Sequence, residues 1–117
     1  MSATDFVAER RDLRFVLFEQ LRVQDSTDPR YADYDLDVYE MVLEEAAKMA
    51  EVTIAPLNGK GDRQGCRYDD GRVRTPDGYK AAYDTFCQAG WSATAVPPEF
   101  GGQGLPMTVS MAILETF

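Results

Sequence analysis

The sequence predicts an all-α domain of about four helices carrying one short β-hairpin. Three observations point there: apolar residues recur at helical spacing in two long segments, helix start and stop signals bracket two more, and a single Asp-Gly dipeptide marks a tight turn. From Thr4 to about Leu21, the residues Phe6, Leu13, Val16, Leu17 and Leu21 form a broad apolar stripe, with Arg10, Arg11, Asp12 and Arg14 on the remaining surface. Residues 22–34 are polar and contain Pro29, so they read as a linker. Asp35 is suited to cap a second helix running to about Ile54 and stopped by Pro56, with Tyr39, Val42, Leu43, Ala46 and Ala50 on one face.

After Leu57, the stretch Asn58-Gly59-Lys60-Gly61-Asp62 reads as a loop, and Asp70-Gly71 predicts a ribbon from about Cys66 to Val73. Thr75-Pro76 supplies an N-cap and a first-turn proline for a third helix, which Gly90 ends. Tyr79, Ala82, Tyr83 and Phe86 share a face of it. Trp91 to Pro106 is a loop with Pro97-Pro98 and the glycines Gly101, Gly102 and Gly104, and Pro106 opens a fourth helix. That helix is expected to be unfinished. Met107, Val109, Met111, Ile113, Leu114 and Phe117 are apolar, and the sequence stops with no capping glycine or basic last turn. Burying six such side chains is worth roughly 10 kcal/mol, comparable to the net stability of a whole domain. Met107, Met111, Leu114 and Phe117 are therefore expected to meet a partner surface, either downstream sequence or another subunit.

Composition narrows the chemistry. With 117 residues, one core is the ceiling. Twelve Lys+Arg against 20 Asp+Glu give a formal charge of -8, which repels nucleic acid and anionic lipid. The sequence has no histidine, which removes Ser-His-Asp and Cys-His nucleophilic pairs and most zinc sites. Cys66 and Cys87 form no C-x-x-C pair and read as reduced, structural thiols. No apolar run reaches the roughly 18 residues of a membrane span, and the acidic, mixed amino terminus lacks the apolar core of a signal peptide, so a cytoplasmic location is expected.

Local motifs each carry two readings. Gly101-Gly102-Gln103-Gly104 before a helix could cradle a phosphate on backbone N–H groups, but the spacing is not that of a nucleotide loop, and a tight loop allowing close backbone approach is favoured. Glu44 and Glu45 are adjacent and point apart on a helix, which favours a solvated face over a catalytic pair. Asp62, Asp69 and Asp70 do not fit a calcium loop and are assigned to turns. Met107 and Met111 read as core contacts rather than a cofactor box, and Trp91, Tyr79, Tyr83 and Phe86 as the filling between the third and fourth helices.

Trp91, followed by Pro97-Pro98-Glu99-Phe100-Gly101-Gly102-Gln103-Gly104-Leu105-Pro106, resembles the acyl-CoA dehydrogenase signature, in which G-W precedes a P-E-aromatic-G-G-x-G loop leading into a helix. Leu13-Arg14-Phe15-Val16-Leu17-Phe18-Glu19 resembles the extra N-terminal helix of a larger-chain bacterial branch, and Ala55-Pro56-Leu57-Asn58, Gly61-Asp62 and Gly65-Cys66 the connection that follows that branch's second helix. The resemblance implies residues 1–34 as an N-terminal extension helix and linker, and 35–117 as the start of the family's N-terminal helical domain. It further implies an FAD-dependent enzyme, a homo-oligomer, in which a glutamate takes the α proton of an acyl-CoA and the flavin its β hydride. The family's base and flavin-binding residues lie downstream of the matched helix, so no residue here is nominated as catalytic, cofactor-binding or metal-ligating. The alternative is a stand-alone acidic helical module that docks on a partner and has no enzymatic activity.

Overall fold

The computed structural model describes residues 6–117. The predicted start of the first helix at Thr4 lies outside the described residues. Residues 6–10 are not helical, and α1 spans Arg11–Arg14 before widening into a π-helical turn at Phe15–Gln20. Helix formation is deferred to Arg11 because the Glu9 carboxylate accepts the N–H groups of Arg11 and Asp12, at 2.8 and 3.1 Å, in place of a helical turn before them. Leu17 and Phe18 turn inward, and Arg22, at φ 50°, ends the helix in the left-handed region. Residues 22–34 hold only short 3-10 turns, at Val23–Asp25 and Pro29–Tyr31. Pro29 opens a single 3-10 turn capped by Asp28.

Asp35 caps α2 (Leu36–Lys48) as expected, accepting the Val38 N–H at 2.9 Å. Pro56 does not stop the helix. Met49–Ile54 form a second π-helical stretch, and α3 (Ala55–Gln64) continues directly through the predicted loop at Asn58–Asp62. The wider turn hands Pro56 to the first turn of α3, where a missing N–H breaks no bond. Asp62 is thus helical rather than in a turn. Gly61 is there for contact: a Cβ on it would fall 2.0 Å from the Tyr79 hydroxyl, so the glycine lets that ring lie on α3.

The hairpin pairs β1 (Arg67–Asp69) with β2 (Arg72–Arg74), Arg67 opposite Arg74, through left-handed Asp70 and Gly71 at φ 46° and 74°. The helix α4 (Tyr79–Gln88) begins later than Thr75-Pro76 predicted, because Gly78 at φ 92° serves as its cap and tucks against Leu57. Gly90 ends it as expected, its N–H reaching the Cys87 carbonyl at 3.0 Å. The last helix, α5 (Met107–Thr116), starts directly after Pro106. With α2 and α3 counted as one continuous rod, the described residues hold the four helices the sequence predicts.

The core lies where α5 crosses α2: Val109 and Ile113 are fully enclosed, with Tyr39, Ala46 and Leu17 around them. This core is open on its far side. The chain exposes 8104 Å² of surface, where a compact monomer of its mass would expose about 6400 Å². Its radius of gyration is 16.8 Å against about 13 Å for a compact domain of this length, and its thinnest dimension is 16 Å. A slab that thin holds barely two packed helices across. Ile113→Ala should destabilise the fold by about 2–4 kcal/mol in urea melts, since its site is enclosed from both helices and cannot collapse.

Candidate functional site

Between Gly90 and Pro106 the chain folds back on itself, and its backbone polar groups account for the shape. The N–H of Gln103 donates to the Ala93 carbonyl at 3.0 Å, that of Leu105 to Thr94 at 2.8 Å, and that of Gly104 to Val96 at 2.9 Å. The N–H groups of Phe100 and Gly102 both reach Pro97, and that of Gly101 reaches Pro98. All the N–H groups from 100 to 105 are thereby used within the loop. A phosphate cradle requires them free, so the phosphate reading fails and the tight loop stands.

The glycines explain why the two limbs can meet. A Cβ on Gly102 would fall 1.9 Å from the Val96 carbonyl oxygen, which is backbone and cannot swing aside. Gly101, at φ 85°, and Gly104, at φ 68°, supply the left-handed turns on either side. Gln103 closes the base by donating its side-chain amide to the Gly90 carbonyl at 3.2 Å, while the Tyr34 hydroxyl donates to the Gln103 carbonyl from the linker. Leu105 is buried, and the buried hydroxyls of Thr94 and Ser110 bond to each other, fastening the loop to α5.

The aromatic residues assigned to the joint divide. Phe117 meets Phe86 and Trp91 edge-on, with centroids 5.2 and 5.4 Å away, whereas Tyr83 is exposed and Tyr79 rests on α3. Met107 and Met111 are not core contacts. They are 60% and 51% exposed, because the turn of α5 that buries Val109 and Ile113 carries Met107, Met111 and Leu114 to the opposite side. These three, with Phe86, Trp91 and Val96, line an open apolar cleft of ≈ 560 Å³ beside the loop. Cys87 is half-buried, but Cys66 is exposed, so only the former fits the structural reading.

The charged chemistry is elsewhere. Arg10 forms a clasp invisible to helical periodicity, because its partners lie 34 and 41 residues away. Its guanidinium bonds Glu44 at 2.9 Å and Glu51 at 2.6 Å, and Glu51 also accepts the Ala8 N–H at 2.9 Å. The only hint was that Glu44 and Glu51, seven apart, stack on one helical face. Glu45 pairs with Lys48 instead, so Glu44 and Glu45 serve separate ion pairs. The Arg10 bonds, with help from the Ala8 N–H, bring the Glu51 carboxyl from 4.5 to about 2, and Arg10 also holds Glu44 below its ordinary range. A base for removing a carbon-bound proton needs a raised carboxyl, and these are shifted the other way.

Gly102→Ala should lower stability by at least about 2 kcal/mol, while Gly101→Ala, facing open space, should cost only about 1–2 kcal/mol for its left-handed backbone; chemical denaturation of the pair checks the contrast. The clasp has a sign as well. Glu51 is depressed in the folded chain, so its stabilisation is complete above the ordinary carboxylate value and is lost as pH falls from about 4.5 toward 2. Limited proteolysis should find residues 6–10 cleaved faster across that window, and in Arg10→Gln already at neutral pH.

The chain is 44% identical over 85 residues to 3-methylmercaptopropionyl-CoA dehydrogenase of Ruegeria pomeroyi, a match covering 73% of the chain and 14% of that protein. It is 30% identical over 108 residues to the broad-specificity linear acyl-CoA dehydrogenase of Mycobacterium tuberculosis, covering 90% of the chain and 18% of the relative. Butyryl-CoA dehydrogenase of Syntrophomonas wolfei is 27% identical over 124 aligned positions, covering 98% and 20%. The chain thus spans a fifth or less of the length of these curated relatives. No family model matches the chain. Identity of 44% over 73% of its length, with two further dehydrogenases matched over 90% and 98%, places the chain in the acyl-CoA dehydrogenase family.

Proposed function

We propose that the chain is the scaffold and interface portion of an FAD-dependent enzyme that oxidises an acyl-CoA between its α and β carbons to the enoyl-CoA. In this reading residues 1–34 are an N-terminal extension and residues 35–117 begin the helical domain. The chain supplies neither the catalytic base nor the flavin site. One observation supports the scaffold role above others: the surface of 8104 Å², well beyond that of a compact domain, whose exposed apolar side includes Met107, Met111 and Leu114 next to the glycine loop. Phe117 closes the edge of that side. The remainder of the enzyme or a partner subunit would cover it, with the cleft forming one wall of the cavity for the acyl chain in a homo-oligomer in the cytoplasm. No helix of the described residues is long and apolar enough to cross a membrane.

The residues around the loop do not fit a flavin pyrophosphate. The loop N–H groups are engaged, and no Lys or Arg occurs between residues 81 and 117 to neutralise it. The flavin would therefore be held by other parts of the enzyme. Expression of the whole reading frame tests the proposal: a yellow flavoprotein that reduces an acceptor dye only when given an acyl-CoA is expected, whereas a protein without flavin or turnover would return the chain to the interaction-module reading. The 117 residues alone are expected to self-associate and to bind an apolar dye. A monodisperse, dye-silent monomer would refute the interface assignment.

A further inference from the structure

Charge is distributed unevenly along this acidic chain. Five of the twelve Lys and Arg, but only three of the twenty Asp and Glu, fall between Lys60 and Arg74, so that segment carries +2 and the remainder -10. Six cations elsewhere, namely Arg10, Arg14, Arg22, Arg30, Lys48 and Lys80, sit in ion pairs. None of those between 60 and 74 does so among the described residues. Arg63 has a local reason to be there, since it lies in the last turn of α3, which favours positive charge. Arg72 faces Asp69 across the hairpin, an attractive pair, but Arg67 and Arg74 have no such reason.

Two of the hairpin arginines are in fact a liability to an isolated hairpin. Arg67 stands directly opposite Arg74, and like charges across an antiparallel pair repel. On the other face Tyr68 stands opposite Val73, and both are bare to solvent, at 79% and 68% exposure. A two-stranded ribbon with neither face covered is at best marginally stable in water. One face therefore calls for carboxylates or phosphates and the other for apolar contact. A phosphate ligand would answer only the first. A protein surface answers both, and Arg and Tyr are the residues enriched where proteins meet.

We propose that the hairpin Arg67–Arg74 is a docking arm that seats on the acidic surface of a second copy of this chain. The copy's own charge outside the arm supplies the complement, with Asp12, Glu19, Asp33 and Asp37 exposed and without a cation partner among the described residues. This inference deepens the homo-oligomer part of the proposed function, but it needs no flavin, base or substrate and so fails or holds separately from the dehydrogenase activity.

Cys66, exposed beside Arg67, is a built-in reporter. In the full-length protein, its alkylation by a maleimide should slow as protein concentration rises, and that protection should fade as salt shortens the screening length from about 10 Å at 0.1 M to about 3 Å at 1 M. The double variant Arg67→Gln, Arg74→Gln, which keeps the Arg72–Asp69 pair, should weaken self-association at least about tenfold in sedimentation, while its thermal stability holds or rises because the cross-strand repulsion is gone. A purely structural hairpin would move both measurements together. Protection of Cys66 that ignores protein concentration, or that appears only on adding coenzyme A, would overturn the proposal. So would a double variant that associates as the parent does.

Discussion

The Val96 carbonyl and the α-carbon of Gly102 approach so closely that no side chain fits between them, and the placement of the C-terminal half follows from that contact. With the limbs that near, the carbonyls of Ala93, Thr94 and Val96 can take the N–H groups of Gln103, Leu105 and Gly104. Leu105 is thereby drawn into the core, Pro106 sets the direction of α5, and the Thr94–Ser110 bond fixes how far α5 sits from the loop. Val109 and Ile113 reach α2 only because the helix leaves the loop at that point and angle. A loop whose glycines at first suggest ligand binding is thus a mechanical joint, with its donors turned inward.

Around this joint the molecule has two unlike sides. Toward α2 it is enclosed and apolar, and the Arg10 clasp draws the N-terminal segment onto the same helix through Glu44 and Glu51. Away from α2 it is thin and uncovered. The same helix serves both sides, since a 3.6-residue period separates Val109 and Ile113 from Met107, Met111 and Leu114 by half a turn. The acyl-CoA dehydrogenases that the chain matches are several times longer, and under the scaffold proposal that uncovered side is where further structure would rest.

Periodicity and turn chemistry made most of the architecture legible. Asp35, Asp70-Gly71, Gly90 and Pro106 each act locally, through a cap or a fixed dihedral, and each sits where its chemistry indicated. The errors came where tertiary contact outweighed local preference. Pro56 and the glycines after it look like a helix breaker and a loop, yet a π-helical stretch absorbs the proline and Tyr79 makes use of the bare α-carbon at Gly61. Thr75-Pro76 looks like a cap, but Gly78 against Leu57 takes that place. The family loop was readable as a motif, but its internal bonding was not, since no spacing rule says which carbonyl a glycine N–H will choose. Met107 and Met111 read equally well as core contacts or as part of a partner-facing surface, because apolarity alone does not say which half of a helix has a neighbour.

Those two methionines give the open face a chemistry of its own. Thioether sulfur is readily oxidised when solvent reaches it, and the sulfoxide is polar and chiral where the methionine was soft and apolar. A chain left uncovered under peroxide would lose the adaptable surface on which another structure can settle, whereas a covered chain would keep it. Sulfoxide at Met107 and Met111 would then be a chemical record of time spent alone, and a reductase acting there would restore the chain's ability to assemble.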